Sequence, residues 1–323
     1  MNISADNMKL LLIISLFFGA LIGAHAEVSN NFDNCKNYFY KQQIPRGFEG
    51  IAKADLFDRN DLPDGIIVND LGSPAYICQT FDSTSWFATL YDRGRLMPLY
   101  SAYILESGKS SEICKRHDAF SLEPQLVYRG VDKNMKFIDE AKRQLKAYNK
   151  EHNIEEQKPK NRPIFLLQTS QAIDEDYTKV REVGYGRGHI NPCGHQTAHK
   201  EGYKATFTLT NVVPIVNELN NNYWSKYEKE MINMAEQCTR MYVITGIVPG
   251  NVPIGESRLT SPTHVWNAYC CVDNNDKPMK SGAALADNKN DSKVEPYNIL
   301  DFQSKLQSLL NVNIELFKDG CMK

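Results

Sequence analysis

All eight cysteines of the 323-residue chain lie downstream of an N-terminal apolar run, at Cys35, Cys78, Cys114, Cys193, Cys238, Cys270, Cys271 and Cys321. That run, residues 10–22, follows Lys9 and leads into Ala24-His25-Ala26. A basic residue, a short apolar stretch and a small-x-small site make up a secretory signal, expected to be cut after Ala26. The stretch is too short to span a bilayer comfortably, and no later segment is long and apolar enough to do so. The mature chain is therefore expected to be secreted, without a membrane partner, and to fold where thiols oxidise. An even cysteine count then favours disulfides, and the wide spacing with no Cys-x-x-Cys pair argues against a zinc ribbon or a thioredoxin-type site. Spacing alone leaves the pairing open.

Residues 27–323 read as one domain with an exposed loop near 153–163. Apolar residues at 42% and charged residues at 24% supply a real core and exclude a disordered chain. Lysine and arginine total 37 against 39 acidic residues, a net charge of −2. Global electrostatics thus draw the chain to neither nucleic acid nor anionic lipid, and anion binding must come from a local patch or a bound metal. Residues 177–204 offer such a patch, with Lys179, Arg181, Arg187, Lys200 and Lys204 against Glu182 and Glu201.

Residues 86–91 and 99–104 flank the turn Asp92-Arg93-Gly94-Arg95, which predicts a β-hairpin. Ile138, Ala141, Leu145 and Tyr148 step by three or four, the mark of an amphipathic helix within 134–152. Residues 163–168 read as a buried strand by composition. Residues 205–212 alternate threonine with other residues and read as a strand ended by Pro214. Residues 217–238 read as a helix, followed by strands at 241–248 and 264–272. Strands on both sides of a central helix indicate an α+β fold rather than alternating βαβ units.

Chemistry concentrates around that helix. Asn220, Trp224 and Glu228 are spaced by four and form one stripe along it. An asparagine oxygen suits a hard cation such as Mg²⁺, which keeps several waters and needs few protein ligands. Upstream, Arg187-Gly188-His189 combines a bidentate fork for phosphate, a glycine that lets the backbone approach a bulky anion, and a neutral-pH proton acceptor. A general base, a phosphate clamp and a metal platform are the parts needed to hydrolyse a phosphodiester.

The joint pattern is more specific than its pieces. Arg187-Gly188-His189-x-Asn191-Pro192 precedes Asn211-Val212-Val213-Pro214, which precedes Leu219-Asn220-(x)3-Trp224-(x)3-Glu228. With these motifs the chain resembles the DNA/RNA non-specific endonucleases of the ββα-metal (His-Me finger) superfamily. The resemblance extends forward to residues 87–93 and 98–103 and back to 245–250 and 265–273. It implies a central, mainly antiparallel sheet flanked by helices. It implies a metal-dependent endonuclease cutting DNA, RNA or both with low sequence specificity. His189 is then the base that activates water, and Asn220 the direct ligand of Mg²⁺, with Mn²⁺ or another divalent cation in its place. Glu228 holds a metal-bound water, Arg187 contacts phosphate, and Arg93 is a weaker phosphate candidate. Two positions depart from the family pattern: Gly186 stands where aspartate is usual, and Ile215 where glutamine is common. Gly186 motivates an alternative, a secreted binding protein that keeps the fold with reduced or lost turnover.

Other readings of single residues compete. Cys193, His195 and His199 are close enough in sequence to suggest a zinc cluster, against a plain loop whose Cys193 is in a disulfide. A Cys193 thiol nucleophile is weaker still. Trp224 and Tyr227 could stack bases, against the ordinary role of aromatics in packing an amphipathic helix.

Overall fold

Glycine and charge in the turn at residues 92–95 do end one strand and begin another. In the computed structural model, which describes residues 28–53, 72–106 and 119–322, they join the antiparallel strands of the expected hairpin. The expected leader and Cys114 lie outside the described residues.

Twelve strands are formed among the described residues: β1 Val28–Ser29, β2 Ala75–Phe81, β3 Thr84–Asp92, β4 Met97–Ile104, β5 Tyr185–His189, β6 Val212–Val216, β7 Arg240–Val248, β8 Val252–Pro253, β9 Thr260–Ser261, β10 His264–Val272, β11 Pro278–Asp287 and β12 Glu295–Tyr297. Eight of them build one antiparallel sheet in the order β1-β2-β3-β4-β7-β10-β11-β12. β5 and β6 pair separately, as do β8 and β9. The helices are α1 Ile138–Glu151, α2 Pro163–Ser170, α3 Asp174–Glu182, α4 Lys200–Ala205, α5 Ser225–Ala235 and α6 Ile299–Leu310. The fold is α+β, as the order of elements indicated.

Period-two alternation in β7 and β10 decides which residues meet which layer. Tyr242, Ile244, Trp266 and Ala268 join Phe48, Tyr100 and Phe302 on one face of the sheet. Val243, Ile247, Val265 and Tyr269 face the other way, toward the side that carries α5 and the β5–β6 pair. Both faces of the central strands are therefore covered, which explains why they read as nearly continuous apolar runs. Gly246 is required here, because a Cβ at that position would lie 2.4 Å from the Trp266 ring and 2.5 Å from the Leu99 carbonyl oxygen.

The adjacent cysteines of β10 use the same alternation. Cys270 bonds Cys321 and ties the C-terminal segment to one face, whereas Cys271 bonds Cys238 and ties the segment after α5 to the other. Cys35–Cys78 holds the N-terminal segment to β2.

Two segments differ from the sequence reading. Residues 163–168 form the first turns of α2 rather than a strand, with Pro163 at the first helical position and Leu166 and Leu167 buried. A short apolar run does not distinguish a buried strand from a buried helix, and the proline suits the first turn. Residues 205–212 end α4, pass through a tight turn at Leu209–Asn211 and only then enter β6, so Pro214 lies within a strand. The threonines there turn inward: Thr208 and Thr210 are fully buried, and their hydroxyls approach the Glu123 carboxylate at 3.4 Å each. The loop near 153–163 is largely exposed, although Asn161 is buried and its carbonyl accepts from Asn149 Nδ2 at 3.0 Å.

Candidate active site

The β5–β6 pair followed by α5 brings together most of the residues singled out by the motifs. β5 pairs antiparallel with β6, Arg187 opposite Pro214 and His189 opposite Val212. Arg187 and His189 alternate with Gly186 and Gly188, so the two candidate side chains share one side of the strand. Gly188 allows the close pairing, because a Cβ there would come within 2.1 Å of Ile215 Cδ1. Ile215 itself is fully buried among Val213, Leu219 and Trp224, so the position that departs from the family pattern serves the core.

β6 runs into a wide π-type turn, Leu219–Trp224, which continues as α5. Such turns are often found at functional sites. Leu219 and Trp224 are buried and anchor the helix start, while Asn220 and Glu228 line an open cleft of about 380 Å³ together with Arg187, His189 and Lys229. The expected stripe is thus divided: its two polar members face the cleft and its tryptophan packs inward.

His189 sits between two aromatic rings, 5.6 Å from Phe120 and 5.2 Å from Phe207 between centroids. Its Nε2 is enclosed without a hydrogen-bond partner, and the residue lines the cleft. Burial, helped by the like charge of Arg187, holds the imidazole down to about 4. At neutral pH it is therefore uncharged and able to take a proton. Arg187 is held by its own set of contacts. Nη2 donates to Asp174 Oδ1 at 2.7 Å, and the guanidinium lies 4.6 Å from the centre of the Phe120 ring and 5.5 Å from that of Tyr177. Burial pulls its proton affinity below the ordinary arginine value, and Asp174 opposes that shift.

Glu228 is the second perturbed group. Desolvation pushes its carboxyl up to about 8, with Lys229 and the nearby Trp224 indole acting in the opposite direction. The Trp224 Nε1 makes no hydrogen bond of regular geometry to it. Glu228 is thus held protonated at neutral pH until a cation favours its charged form. Among the described residues no group of three or more histidine, cysteine, aspartate or glutamate side chains is placed to hold a metal. The donor set in the cleft, a neutral amide with one carboxyl two turns along, fits a hydrated Mg²⁺ and not a dedicated zinc cage.

Gly186 also faces the helix start. A Cβ there would lie 2.8 Å from Asn217 Oδ1 and 3.4 Å from Asn220 Nδ2. The side chain of Asn217 occupies the space into which a residue larger than glycine would project.

Other candidates do not take the roles expected of them, although Cys193 and His195 also line the cleft. Arg93 is only 1% exposed and donates to the Leu126 carbonyl at 3.3 Å, so it is packed inward at the hairpin turn and is not among the residues that line the cleft. The zinc reading fails on all three residues. Cys193 is disulfide-bonded, His199 is exposed and 3.5 Å from Glu106, and both His195 nitrogens are engaged within the protein. The disulfide also removes Cys193 as a nucleophile. Tyr227 donates to Asn267 Oδ1 at 3.0 Å, and Trp224 is core, so neither forms a free stacking surface. Sequence reasoning missed Phe120, Phe207 and Asp174, which enclose His189 and hold Arg187. They come from segments distant in sequence, and nothing in the local pattern marks them.

A sequence profile for DNA/RNA non-specific endonucleases matches residues 68–313 of the chain. Endonuclease domain-containing 1 protein of Homo sapiens is 25% identical over 320 residues, 97% of this chain and 52% of that protein; the Mus musculus protein is 25% identical over 295 residues, 90% and 48%. The chain thus spans about half the length of the curated relatives it matches. Mitochondrial endonuclease G of Homo sapiens is 30% identical over 110 residues, 30% of this chain and 35% of that one. Among solved structures, the EndoG/EndoGI complex aligns with a TM-score of 0.43 at 19% identity, covering 72% of this chain and 84% of the other.

Proposed function

The chain belongs to the DNA/RNA non-specific endonuclease family, and we propose that it is a secreted, divalent-metal-dependent endonuclease that hydrolyses phosphodiester bonds in DNA and RNA. The single observation that carries this reading is the convergence of His189, Asn220 and Glu228 on one cleft. His189 is the general base: neutral at physiological pH and lining the cleft, it takes a proton from the attacking water. Its low basicity limits how far that proton moves unless the water is itself made more acidic. Asn220 would hold the cation through its amide oxygen, and Glu228 would hold one of the cation's waters. A bound Mg²⁺, or Mn²⁺ in its place, supplies positive charge at the phosphate and at the leaving oxygen, and acidifies bound water. Arg187, fixed by Asp174 and Phe120, presents charge at the rim of the same cleft to a phosphate oxygen. Chemistry directed at the phosphate rather than at base edges gives low sequence specificity. The disulfides on both faces of the sheet support folding in an oxidising compartment.

A plasmid-nicking assay with Mg²⁺ and Mn²⁺ tests the reading. The wild-type protein should convert supercoiled plasmid to open circles, chelation should abolish this, and His189→Ala should lose roughly 100-fold or more in rate. Equal inertness of wild type and His189→Ala with both metals would replace the enzyme with a binding protein of the same fold.

A further inference from the structure

We propose that His195 is a positioning residue that latches the helix carrying Glu228 to the central sheet. The proposal rests on the nuclease reading for its consequences, but its geometry stands without it. His195 is 1% exposed, and the sequence had singled it out for a metal role that the structure does not support. Instead, it closes a one-way chain of hydrogen bonds that begins and ends on neighbouring residues of α5.

The direction of each bond follows from the groups involved. The Glu228 main-chain oxygen can only accept, so His195 Nε2, 2.9 Å away, carries the proton. Nδ1 of the neutral ring is then bare and accepts from Tyr103 Oη at 3.0 Å. Having donated its only proton, Tyr103 Oη accepts from Thr245 Oγ1 at 3.3 Å. Thr245 Oγ1 in turn accepts from Asn267 Nδ2 at 2.7 Å, and Asn267 Oδ1 accepts from Tyr227 Oη at 3.0 Å. Thr245 and Asn267 are direct partners across β7 and β10, and each is 2% exposed.

Four side chains thus connect Tyr227 through the sheet to the peptide of Glu228, and all four, Tyr103, His195, Thr245 and Asn267, are almost fully buried. Apolar packing tolerates small slides of a helix over a sheet, whereas a buried polar network is satisfied in only one position. The latch also joins the two walls of the cleft. His195 lies six residues beyond His189, in the turn Cys193–Gln196 that follows β5, and its main-chain oxygen accepts from Glu106 N at 2.9 Å. The segment bearing the base and the helix bearing the metal platform are therefore set against each other by one imidazole.

The test compares His195→Phe, which removes both bonds, with His195→Gln, which keeps a donor for the Glu228 oxygen. Both are assayed as the full chain at a temperature where each is folded. Three readouts are taken: Mn²⁺ binding by electron paramagnetic resonance, kcat and KM for plasmid nicking, and amide hydrogen exchange across residues 225–235. His195→Phe is expected to weaken Mn²⁺ binding about tenfold, to lower kcat with KM unchanged, and to speed exchange in α5 selectively. His195→Gln is expected to recover most of each. Wild-type Mn²⁺ affinity and helix exchange in His195→Phe would overturn the proposal, as would equal impairment of the two variants. If the wild-type chain neither binds Mn²⁺ nor nicks plasmid, the nuclease reading fails, and the exchange comparison still decides the latch.

Discussion

Acidification from pH 6.5 to about 4 should cost this fold stability at one buried residue, His195, and the size of that contribution can be worked out. Burial is the main cause that holds its imidazole down to about 4, from an ordinary value of 6.5. Above pH 6.5 the ring is neutral in both folded and unfolded chains, and it makes no contribution to the pH dependence. Below pH 6.5 the unfolded chain takes up a proton that the folded chain refuses, so stability falls until about pH 4, where the folded ring also charges. At about 1.4 kcal/mol per tenfold, a drop from 6.5 to about 4 amounts to roughly 3 kcal/mol. That is a large part of the 5–15 kcal/mol or so typical of a folded domain. His189, held down to about 4 as well, acts in the same direction, whereas Glu228, raised from 4.5 to about 8, acts against both: the folded chain keeps a proton that the unfolded chain releases, so acidification from pH 8 to 4.5 adds stability there. The lowered carboxyls of Asp132, Asp273 and Asp287 matter only below their ordinary value of 3.8, outside this window. Urea unfolding followed by tryptophan fluorescence at pH 7, 5.5 and 4.5 measures the effect, with His195→Gln as the control. The His195 contribution is the difference in slope between wild type and His195→Gln, and the same slope in both would refute the reasoning.

Three further outcomes are expected. Gly186→Asp should displace the Asn217 side chain, place a carboxylate beside Asn220 Nδ2 and raise the apparent Mg²⁺ affinity several-fold; an unchanged metal titration would separate that position from the cation. Removing the Cys238–Cys271 bond, which closes a sequence separation of 33, should cost about 4 kcal/mol by the loop-entropy relation, read as a lower urea midpoint. Arg93→Ala should lower stability and leave the KM for nucleic acid unchanged, because the side chain is buried at the hairpin turn; a selective rise in KM would return it to the binding surface.

The elements legible in the sequence were those fixed by local chemistry. The turn at 92–95, the three-four stepping in α1 and the long apolar runs of β7 and β10 each signal their own structure. The same holds for the placement of the candidate site residues. A glycine-flanked histidine on a strand and an asparagine one turn into a helix carry their spacing with them, and the fold turns that spacing into a shared cleft. What remained illegible depends on distant partners. Composition could not tell the buried helix α2 from a strand. The alternating threonines of 205–212 imitated strand periodicity because their hydroxyls turn inward toward Glu123, a residue about 85 positions away. Arg93 looked like a surface cation, although tertiary packing buries it. His195 looked like a metal ligand because its two ring partners, the Tyr103 hydroxyl on β4 and the Glu228 main-chain oxygen on α5, cannot be seen from its neighbours in the chain.

The account stands on a cation bound at Asn220 opposite the His189 ring, and crystals grown with Mn²⁺ address that directly. An anomalous difference map should show one strong peak in bonding distance of Asn220 Oδ1, on the cleft side facing His189 and within a water's reach of Glu228. A map with no peak in the cleft, or with its peak bound elsewhere and Asn220 turned away, would contradict the account.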